Sequence, residues 1–173
     1  MDVRPLDARE ERAWRGFHRL RADLTSHLAR QLTQESGLTE ADYAVLVTVS
    51  EAPGRRIRAR DLGLALGWDR SRLSHQLARM EARGTVRRAP CEHDARGFDV
   101  VLTRAGLAVI QAAAPLHLKA VRHCFADLLT ADQLDTLGDI AEIVTAHLIA
   151  SHRADTGDGE PGRARLDGNQ APG

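Results

Sequence analysis

The sequence predicts a mainly helical, α+β fold, and three patterns carry the prediction. Apolar residues recur at three- and four-residue steps over long stretches at both ends of the chain. Between them, two helical segments, 60–66 and 69–83, meet at a turn formed by Gly67-Trp68. Two alternating segments, 85–88 and 98–102, then flank a polar loop, as in a β-hairpin. Helix, turn, helix and hairpin in this order predict a winged helix-turn-helix with a two-stranded wing.

The part of the chain before the helix-turn-helix predicts two helices. Residues 8–36 form a long amphipathic helix, and Gly37 marks its end. Thr39 is a suitable N-cap for the second helix, because its hydroxyl can accept a hydrogen bond from a free amide of the first turn. The apolar stripe of the first helix is Trp14, Phe17, Leu20, Leu24, Leu28 and Leu32, and the inward stripe of the second is Tyr43, Leu46 and Val49.

The helix over 69–83 presents side chains for recognition. Asp69 can cap its N-terminus, and Gly84 can close it in the left-handed conformation. The stripe that faces the core is Leu73, Leu77 and Met80, and the opposite face carries Ser71, His75 and Ala78, flanked by Arg72 and Arg79. On the helix alone a solvated face is the simpler interpretation. The turn before it and the hairpin after it favour contacts with the bases and phosphates of DNA.

The hairpin carries a second basic element. Its strands alternate apolar residues with Arg and Asp, as expected of strands with one buried face. The loop between Pro90 and Gly97 carries Arg96, a long, flat cation that suits the narrow minor groove of DNA. Asp94 can hold Arg96 in an extended pose by a charge-assisted hydrogen bond. The alternative is an ordinary surface hairpin with a local ion pair.

Two further helices are predicted after the hairpin. Apolar residues recur at helical spacing from about 104 to 128, and Thr130 with Gln133 forms a capping box that starts the last helix. The apolar stripe of the last helix includes Leu134, Leu137, Ile140, Val144 and Leu148. Residues 151–173 are rich in Gly, Asp, Arg and Pro, so we expect them to form a disordered tail.

The terminal helices predict a dimer. The helices at about 8–36 and 104–150 carry more apolar surface than the DNA-reading unit, about 55–104, can cover. A two-fold dimer in which these helices from both chains interlock would bury that surface. We therefore expect one domain over 1–150 and a homodimer whose two recognition helices contact the halves of a palindrome.

Composition limits the class of protein. The formal net charge of the 173 residues is +0, which taken alone argues against a nucleic-acid partner. The distribution matters more, because residues 55–104 contain twelve arginines against six acidic residues and can form a basic face that binds phosphates. Two cysteines are too few for a disulfide framework. We expect no secretory or membrane-spanning segment, and hence a cytoplasmic protein without a membrane partner.

Several runs, taken in order, resemble the MarR family of bacterial transcriptional regulators. They are Leu38-Thr-Glu-Ala-Asp-Tyr-Ala-Val-Leu46, Met80-Glu-Ala-Arg-Gly-Thr-Val-Arg-Arg88, Asp94-Ala-Arg-Gly-Phe-Asp-Val-Val-Leu-Thr-Arg-Ala-Gly106, Pro115 to Phe125, and Leu129-Thr-Ala-Asp-Gln-Leu134. The resemblance covers roughly residues 10–150 and departs at Trp68, where a smaller residue is more usual. It implies DNA contacts by Ser71, Arg72 and His75 in the recognition helix and by Asp94 and Arg96 in the wing.

The resemblance also implies a small-molecule effector, phenolic or otherwise aromatic, bound between the dimer helices and the DNA-reading unit. The side chains that could line such a pocket are Trp14, His18, Tyr43 and His117. Packing in the core or at an interface explains these four residues equally well. The sequence contains no catalytic arrangement, and the possible ligands His117, His123, Cys124 and His147 lack the spacing of a metal site. We therefore expect neither an enzyme nor a bound metal or cofactor.

The sequence thus predicts a dimeric winged-helix regulator, a repressor that releases a pseudo-palindromic operator on binding its effector. The residues expected to contact DNA are Arg70, Ser71, Arg72, Ser74, His75, Arg79, Arg87, Arg88, Asp94 and Arg96. Two alternatives stay open. One is a thiol-based redox sensor that acts through Cys91 or Cys124, and the other is a winged helix that binds protein instead of DNA.

Overall fold

The computed structural model describes residues 3–91 and 97–155, except for the side chains of 152–155. Its α-helices are α1 (Ala8–Ser36), α2 (Glu40–Glu51), α3 (Ala59–Leu66), α4 (Arg70–Ala82), α5 (Arg104–Cys124) and α6 (Ala131–Asp155). Its strands are β1 (Arg56–Arg58), β2 (Val86–Pro90) and β3 (Phe98–Leu102), and 3-10 turns cover Pro53–Arg55 and Ala126–Leu128. The chain divides after Leu128 into a larger unit and a second unit that contains α6. The predicted mainly helical, α+β class is confirmed.

The first helix has sharp ends. Asp7 caps α1 by accepting hydrogen bonds from the amides of Arg9 (2.8 Å) and Glu10 (2.9 Å). The Glu10 carboxylate accepts one in return from the amide of Asp7 (2.8 Å), which completes a capping box. Gly37 ends the helix with a φ of 71°, in the left-handed region that glycine adopts without steric cost. The predicted bounds of this helix are confirmed.

The apolar stripe of α1 is only partly covered within one chain. Leu32, at the C-terminal end, is buried, and Leu24 and Leu28 are half-buried. Trp14 and Phe17 are 56% and 55% exposed, and Leu20 is similar. The stripe that the sequence predicts is therefore present, but its N-terminal half faces outward in the described chain.

The core of the larger unit lies between α2, α4, the sheet and α5. Its fully buried members include Leu46 and Val49 of α2 and Leu77 and Met80 of α4, all predicted to face inward. The remainder of the cluster is Leu32, Leu38, Val45, Leu62, Leu73, Val86, Val100, Leu102, Ile110 and Ala113. Each large aliphatic side chain buried in this way stabilises the fold by roughly 1.5–3 kcal/mol. This cluster fixes α4 against the rest of the unit.

The sheet has one strand more than the sequence predicts. β2 and β3 form the expected antiparallel hairpin, in which Val86 lies opposite Leu102. β1 pairs with the other edge of β3, so the strand order is β1-β3-β2. The two-stranded wing is thus extended to a three-stranded antiparallel sheet by residues that directly precede α3.

The start of α5 packs closely against the end of α4. Thr103 caps α5 through a hydrogen bond from the amide of Gly106 (2.9 Å) to its hydroxyl. The same hydroxyl donates to the carbonyl oxygen of Gly84 (2.7 Å), and the amide of Thr103 donates to the carbonyl oxygen of Thr85 (3.2 Å). Gly106 is buried at this junction.

The second unit contains the last helix. α6 begins with the predicted capping box, in which the amide of Thr130 donates to Gln133 (2.9 Å) and the amide of Gln133 donates to Thr130 (3.3 Å). The helix continues to Asp155, so residues 151–155, which their composition assigns to the tail, are helical. Residues 156–173 lie outside the described residues. The exposed large apolar side chains of α6 are Ile140, Ile143, Val144, Leu148 and Ile149.

Candidate nucleic-acid interface

The outer face of α4 is built as the sequence predicts. Asp69 caps the helix, and its carboxylate accepts a hydrogen bond from the amide of Arg72 (2.9 Å), which lowers the pKa of Asp69 below its usual value. At the other end Gly84 has a φ of 72°, and the amide of Thr85 donates to the carbonyl oxygen of Met80 (3.0 Å). The predicted contact residues on this helix, all exposed, are Arg70, Ser71, Arg72, Ser74, His75 and Arg79.

The turn before α4 positions one of these arginines. Gly67 has a φ of 63° and ends α3 in the left-handed region. Trp68 follows, half-buried against the core, and the guanidinium carbon of Arg72 lies 4.5 Å from the centre of its ring. This is a cation–π contact, and it restricts the Arg72 side chain to one side of the helix. The large residue in the turn therefore contacts one of the predicted DNA-binding arginines, a contact that its position in the sequence alone does not show.

The wing arginines differ in their surroundings. Arg87 is exposed on β2. Arg88 forms an ion pair with Glu81 (Nε to Oε2, 3.3 Å), and its guanidinium lies 4.8 Å from the ring centre of Phe98. Of the two, Arg88 is therefore engaged within the protein. The predicted wing residues Asp94 and Arg96 lie outside the described residues.

A clamp at the base of the wing was not found from the sequence. Arg56 of β1 donates from Nε to Oδ2 of Asp99 in β3 (2.5 Å) and from its terminal nitrogen to the carbonyl oxygen of Pro90 in β2 (2.8 Å). One guanidinium thus joins all three strands. Its partners lie 43 and 34 residues further along the chain. Residues so far apart in the sequence cannot be paired from a local sequence pattern.

A basic groove lies between α3, α4 and the sheet, with a volume of ≈ 620 Å³. Four arginines and several apolar side chains line it. The arginines are Arg58, Arg60, Arg70 and Arg88, and the apolar side chains include Leu64, Trp68, Leu73 and Phe98. Positive charge is therefore concentrated next to the outer face of α4, where it attracts phosphate in spite of the zero net charge of the chain.

A buried carboxylate lies behind the recognition helix. Asp42 of α2 is 1% exposed, and its Oδ1 accepts a hydrogen bond from the Nε2 of Gln76 (2.6 Å). The same oxygen accepts one from the guanidinium of Arg83, at the end of α4. Sequence analysis missed Asp42, Gln76 and Arg83 as site residues. In the sequence, Asp42 stands out only by its place three residues after the N-cap Thr39, which is a local signal.

The four predicted effector residues form two separate pairs. The rings of Trp14 and His18 meet edge to face on α1 with centroids 4.1 Å apart. Tyr43 of α2 and His117 of α5 have ring centroids 4.5 Å apart. Burial raises the pKa of Tyr43, and the nearby charge of Glu51 raises it further. The Nδ1 atom of His117 is buried and has no hydrogen-bond partner in the described part of the chain.

Among the described residues, the cysteines and the possible metal ligands do not come together in a site. Cys91 and Cys124 are free thiols, both half-buried. Within residues 3–91 and 97–155, no three His, Cys, Asp or Glu side chains come together as metal ligands would. Among the described helices, none combines the length and apolar character that a membrane crossing requires.

Comparison with known proteins extends the sequence resemblance. The model of the MarR family matches residues 36–97, a range that includes α2, the helix-turn-helix and β2. The transcriptional regulator HosA of Escherichia coli is 37% identical to this chain over 102 residues, which are 59% of this chain and 74% of HosA.

The similarity to solved structures extends over more of the chain than the sequence matches do. AbsC, a MarR family transcriptional regulator from Streptomyces coelicolor, is 40% identical, and its superposition covers 86% of this chain and 99% of AbsC with a TM-score of 0.82. A second MarR family regulator from that bacterium, in complex with DNA, is also 40% identical, with a TM-score of 0.82 over 85% of this chain and 92% of its own. Identity and coverage of this extent establish the relationship. The chain belongs to the MarR family, whose members are transcriptional regulators and not enzymes.

Proposed function

We propose that this DNA-binding regulator is a homodimeric repressor that acts in the cytoplasm on a pseudo-palindromic operator and releases it when a small molecule binds. The outer face of α4 carries the proposal, because all six predicted contact residues on it are exposed. Leu73, Leu77 and Met80 meanwhile hold the opposite face in the core. A helix fixed in this way presents hydrogen-bond donors that fit the major groove, while Arg87 and Arg96 are proposed to contact the phosphate backbone and the minor groove.

Exposed apolar surface supports the dimer. Trp14, Phe17 and Leu20 are exposed at three-residue steps along α1, and α6 has its own exposed apolar side chains, among them Val144 and Leu148. Monomeric proteins rarely leave large apolar surfaces in water. A two-fold dimer would bury them and set two α4 helices about 34 Å apart, the spacing of successive major grooves on one side of DNA.

The pair formed by Tyr43 and His117 supports the effector. A buried Nδ1 without a partner is unfavourable unless another group satisfies it, and a phenol or carboxylic acid could do so. A ligand there acts as a switch only if it binds better to the conformation that releases DNA. The proposed effector site is tested by titration with a panel of benzoates and phenols, with release of DNA as the readout. His117→Phe should abolish release by an active compound and leave the affinity of the free protein for DNA unchanged.

The function is tested by fluorescence anisotropy of the purified chain on the duplex immediately upstream of its own gene, against a scrambled duplex. We expect tighter binding to the first duplex, with an affinity that falls steeply as salt rises. Equal, salt-sensitive binding to both would place the operator elsewhere. Absence of binding to either at low salt would contradict DNA as the partner and favour a protein-binding winged helix.

Arg96→Ala is expected to weaken operator binding by about 1–3 kcal/mol, the range for the loss of a specific contact. The same anisotropy assay at matched salt measures the change. Arg96→Lys separates charge from shape, because lysine keeps the charge but not the flat guanidinium that a narrow groove accepts. An unchanged affinity for Arg96→Ala would remove the wing from the interface.

Trp68→Ala is expected to weaken operator binding by about 0.5–1 kcal/mol, because Arg72 loses the ring that restricts it. Trp68→Phe is the matched variant, since it keeps an aromatic face for the guanidinium. Anisotropy on the same duplex should rank the wild type first, Trp68→Phe close to it, and Trp68→Ala last. If the two variants bind equally well, the contact between Trp68 and Arg72 does not contribute to recognition.

A further inference from the structure

The Asp42 carboxylate has a different set of partners on each oxygen. Its Oδ2 accepts hydrogen bonds from the hydroxyl (2.8 Å) and the amide (3.2 Å) of Thr39, which fix the start of α2. Its Oδ1 accepts from Gln76 and Arg83, which lie 34 and 41 residues further along the chain. One buried group therefore connects the start of α2 with the middle and the end of the recognition helix.

The carboxylate also sets the orientation of the Gln76 amide. Gln76 is 2% exposed, and its Nε2 lies 2.6 Å from Oδ1 of Asp42. The reversed amide would place a carbonyl oxygen against a carboxylate oxygen, two acceptors without a proton between them. Nε2 must therefore face Asp42, and Oε1 must face the other way.

The oxygen of the Gln76 amide contacts an arginine on the outer face of α4. The Oε1 atom of Gln76 accepts a hydrogen bond from a terminal nitrogen of Arg79, which is exposed. A guanidinium has five N–H donors, so this bond leaves others available to a phosphate. The series Asp42, Gln76 and Arg79 runs from the core to the surface, and we name it the Asp42 bridge.

We infer that Asp42 and Gln76 are positioning residues for DNA binding, which hold Arg79 in the pose that contacts a phosphate without touching DNA themselves. The inference rests on the proposed function. Arginine has many rotamers, and fixing them in the free protein removes an entropic cost from binding. Operator affinity is therefore set in part by two buried side chains, one of which lies on a different helix.

The test is a double-mutant cycle with the full chain on the duplex that the wild-type protein selects from a random pool. Gln76→Met keeps the size of the side chain and removes both hydrogen bonds. We expect it to weaken binding about three- to tenfold, and to have little effect when Arg79 is already alanine, because the two act through one contact. The control is Arg87→Ala, an exposed wing arginine outside the bridge, in whose background Gln76→Met should retain its full effect.

Salt dependence gives a second readout, one that a purely structural role would not change. Loss of one phosphate contact reduces the slope of log affinity against log salt by about 0.9. Arg79→Ala should show that loss, and Gln76→Met should show much of it at wild-type helix content. If Gln76→Met proves unstable, Gln76→Leu replaces it in the cycle, since leucine also favours a helix and likewise removes both hydrogen bonds of the Gln76 amide.

An equal effect of Gln76→Met in the Arg79→Ala and Arg87→Ala backgrounds would overturn the inference, and so would unchanged affinity. Selection of a duplex by the wild-type chain is a separate result. If no sequence is enriched, the proposed function itself fails, and the inference fails with it. If a sequence is enriched and the cycle shows no coupling, only the inference fails.

Discussion

Gly106→Ala is expected to destabilise the larger unit by about 3 kcal/mol or more, the upper end of what overpacking a core costs. A Cβ at this position would lie 2.0 Å from the carbonyl oxygen of Thr85 and 2.9 Å from a methyl of Leu102. The first atom belongs to backbone and cannot turn aside as a flexible side chain can. Relief would require α5 to move away from the turn that ends α4, which would break the Thr103 hydrogen bonds.

Denaturant unfolding followed by circular dichroism measures the effect, and Gly16→Ala provides the control. Gly16 lies inside α1, and apart from its chain neighbours and the nearby backbone of its own helix, no described atom comes within 4 Å of the position of an added Cβ. Alanine there should stabilise the helix by about 0.5–1 kcal/mol, because it restricts the unfolded chain more than glycine does. Equal midpoints for wild type and Gly106→Ala would show that the junction of α4 and α5 yields more easily than its geometry indicates.

The recognition helix could be predicted from the sequence because its determinants are local. Asp69 and Gly84 mark its ends by the chemistry of caps, and Leu73, Leu77 and Met80 mark its buried face by helical spacing. The structure confirms these five assignments. Exposure of the opposite face follows from them, since the two faces of a helix are fixed relative to each other.

The third strand could not be predicted, because its signal is not local. β1 contains a single apolar residue, Ile57, between Arg56 and Arg58, and three residues are too few for alternation to be recognised. The strand forms because β3 offers a free edge and because Asp99 accepts a hydrogen bond from Arg56. The edge of β3 and Asp99 are both distant from β1 in the sequence, and only folding brings them next to it.

The candidate site could be predicted only in part, because some of its contacts are local and others join residues far apart in the sequence. Its exposed residues follow from the helical spacing, whereas the Asp42 bridge depends on the hydrogen bond between Asp42 and Gln76, which lie 34 positions apart. Gln76 is the informative case. By spacing alone it borders the apolar stripe as an ordinary polar residue, and its hydrogen bond to Asp42 becomes evident only once α2 is placed behind α4.

Asp42→Asn is expected to lower the free energy of unfolding at neutral pH by about 1.5–3 kcal/mol, the usual value of hydrogen bonds to a charged group. The neutral amide can no longer pair with the Arg83 guanidinium and offers one acceptor atom where the carboxylate offers two. Asp23→Asn is the matched control, because Asp23 is exposed on α1 and its neutralisation should leave stability unchanged.

The same variant makes the pH dependence testable. Burial acts to raise the pKa of Asp42, but hydrogen bonds from Arg83 and Thr39 outweigh it, so the pKa in the folded protein lies below the ordinary value of 3.8. Between those two values the unfolded chain binds more protons than the folded one, and stability therefore rises with pH in that window. The contribution of Asp42 is complete above its ordinary pKa and is lost as pH falls through the folded pKa.

Denaturant unfolding of the wild type and of Asp42→Asn, at several pH values between neutral and about 2.5 and at one protein concentration, measures this contribution. The two stabilities should differ by a constant amount down to about pH 5 and converge below it, because protonation removes from the wild type the charge that the variant lacks. Asp69 and Glu10, whose pKa values are also lowered, contribute acid sensitivity to both proteins alike, so the difference isolates Asp42. A difference that stays constant to the lowest pH would show that the charge of Asp42 does not stabilise the fold and that only the shape of its side chain matters.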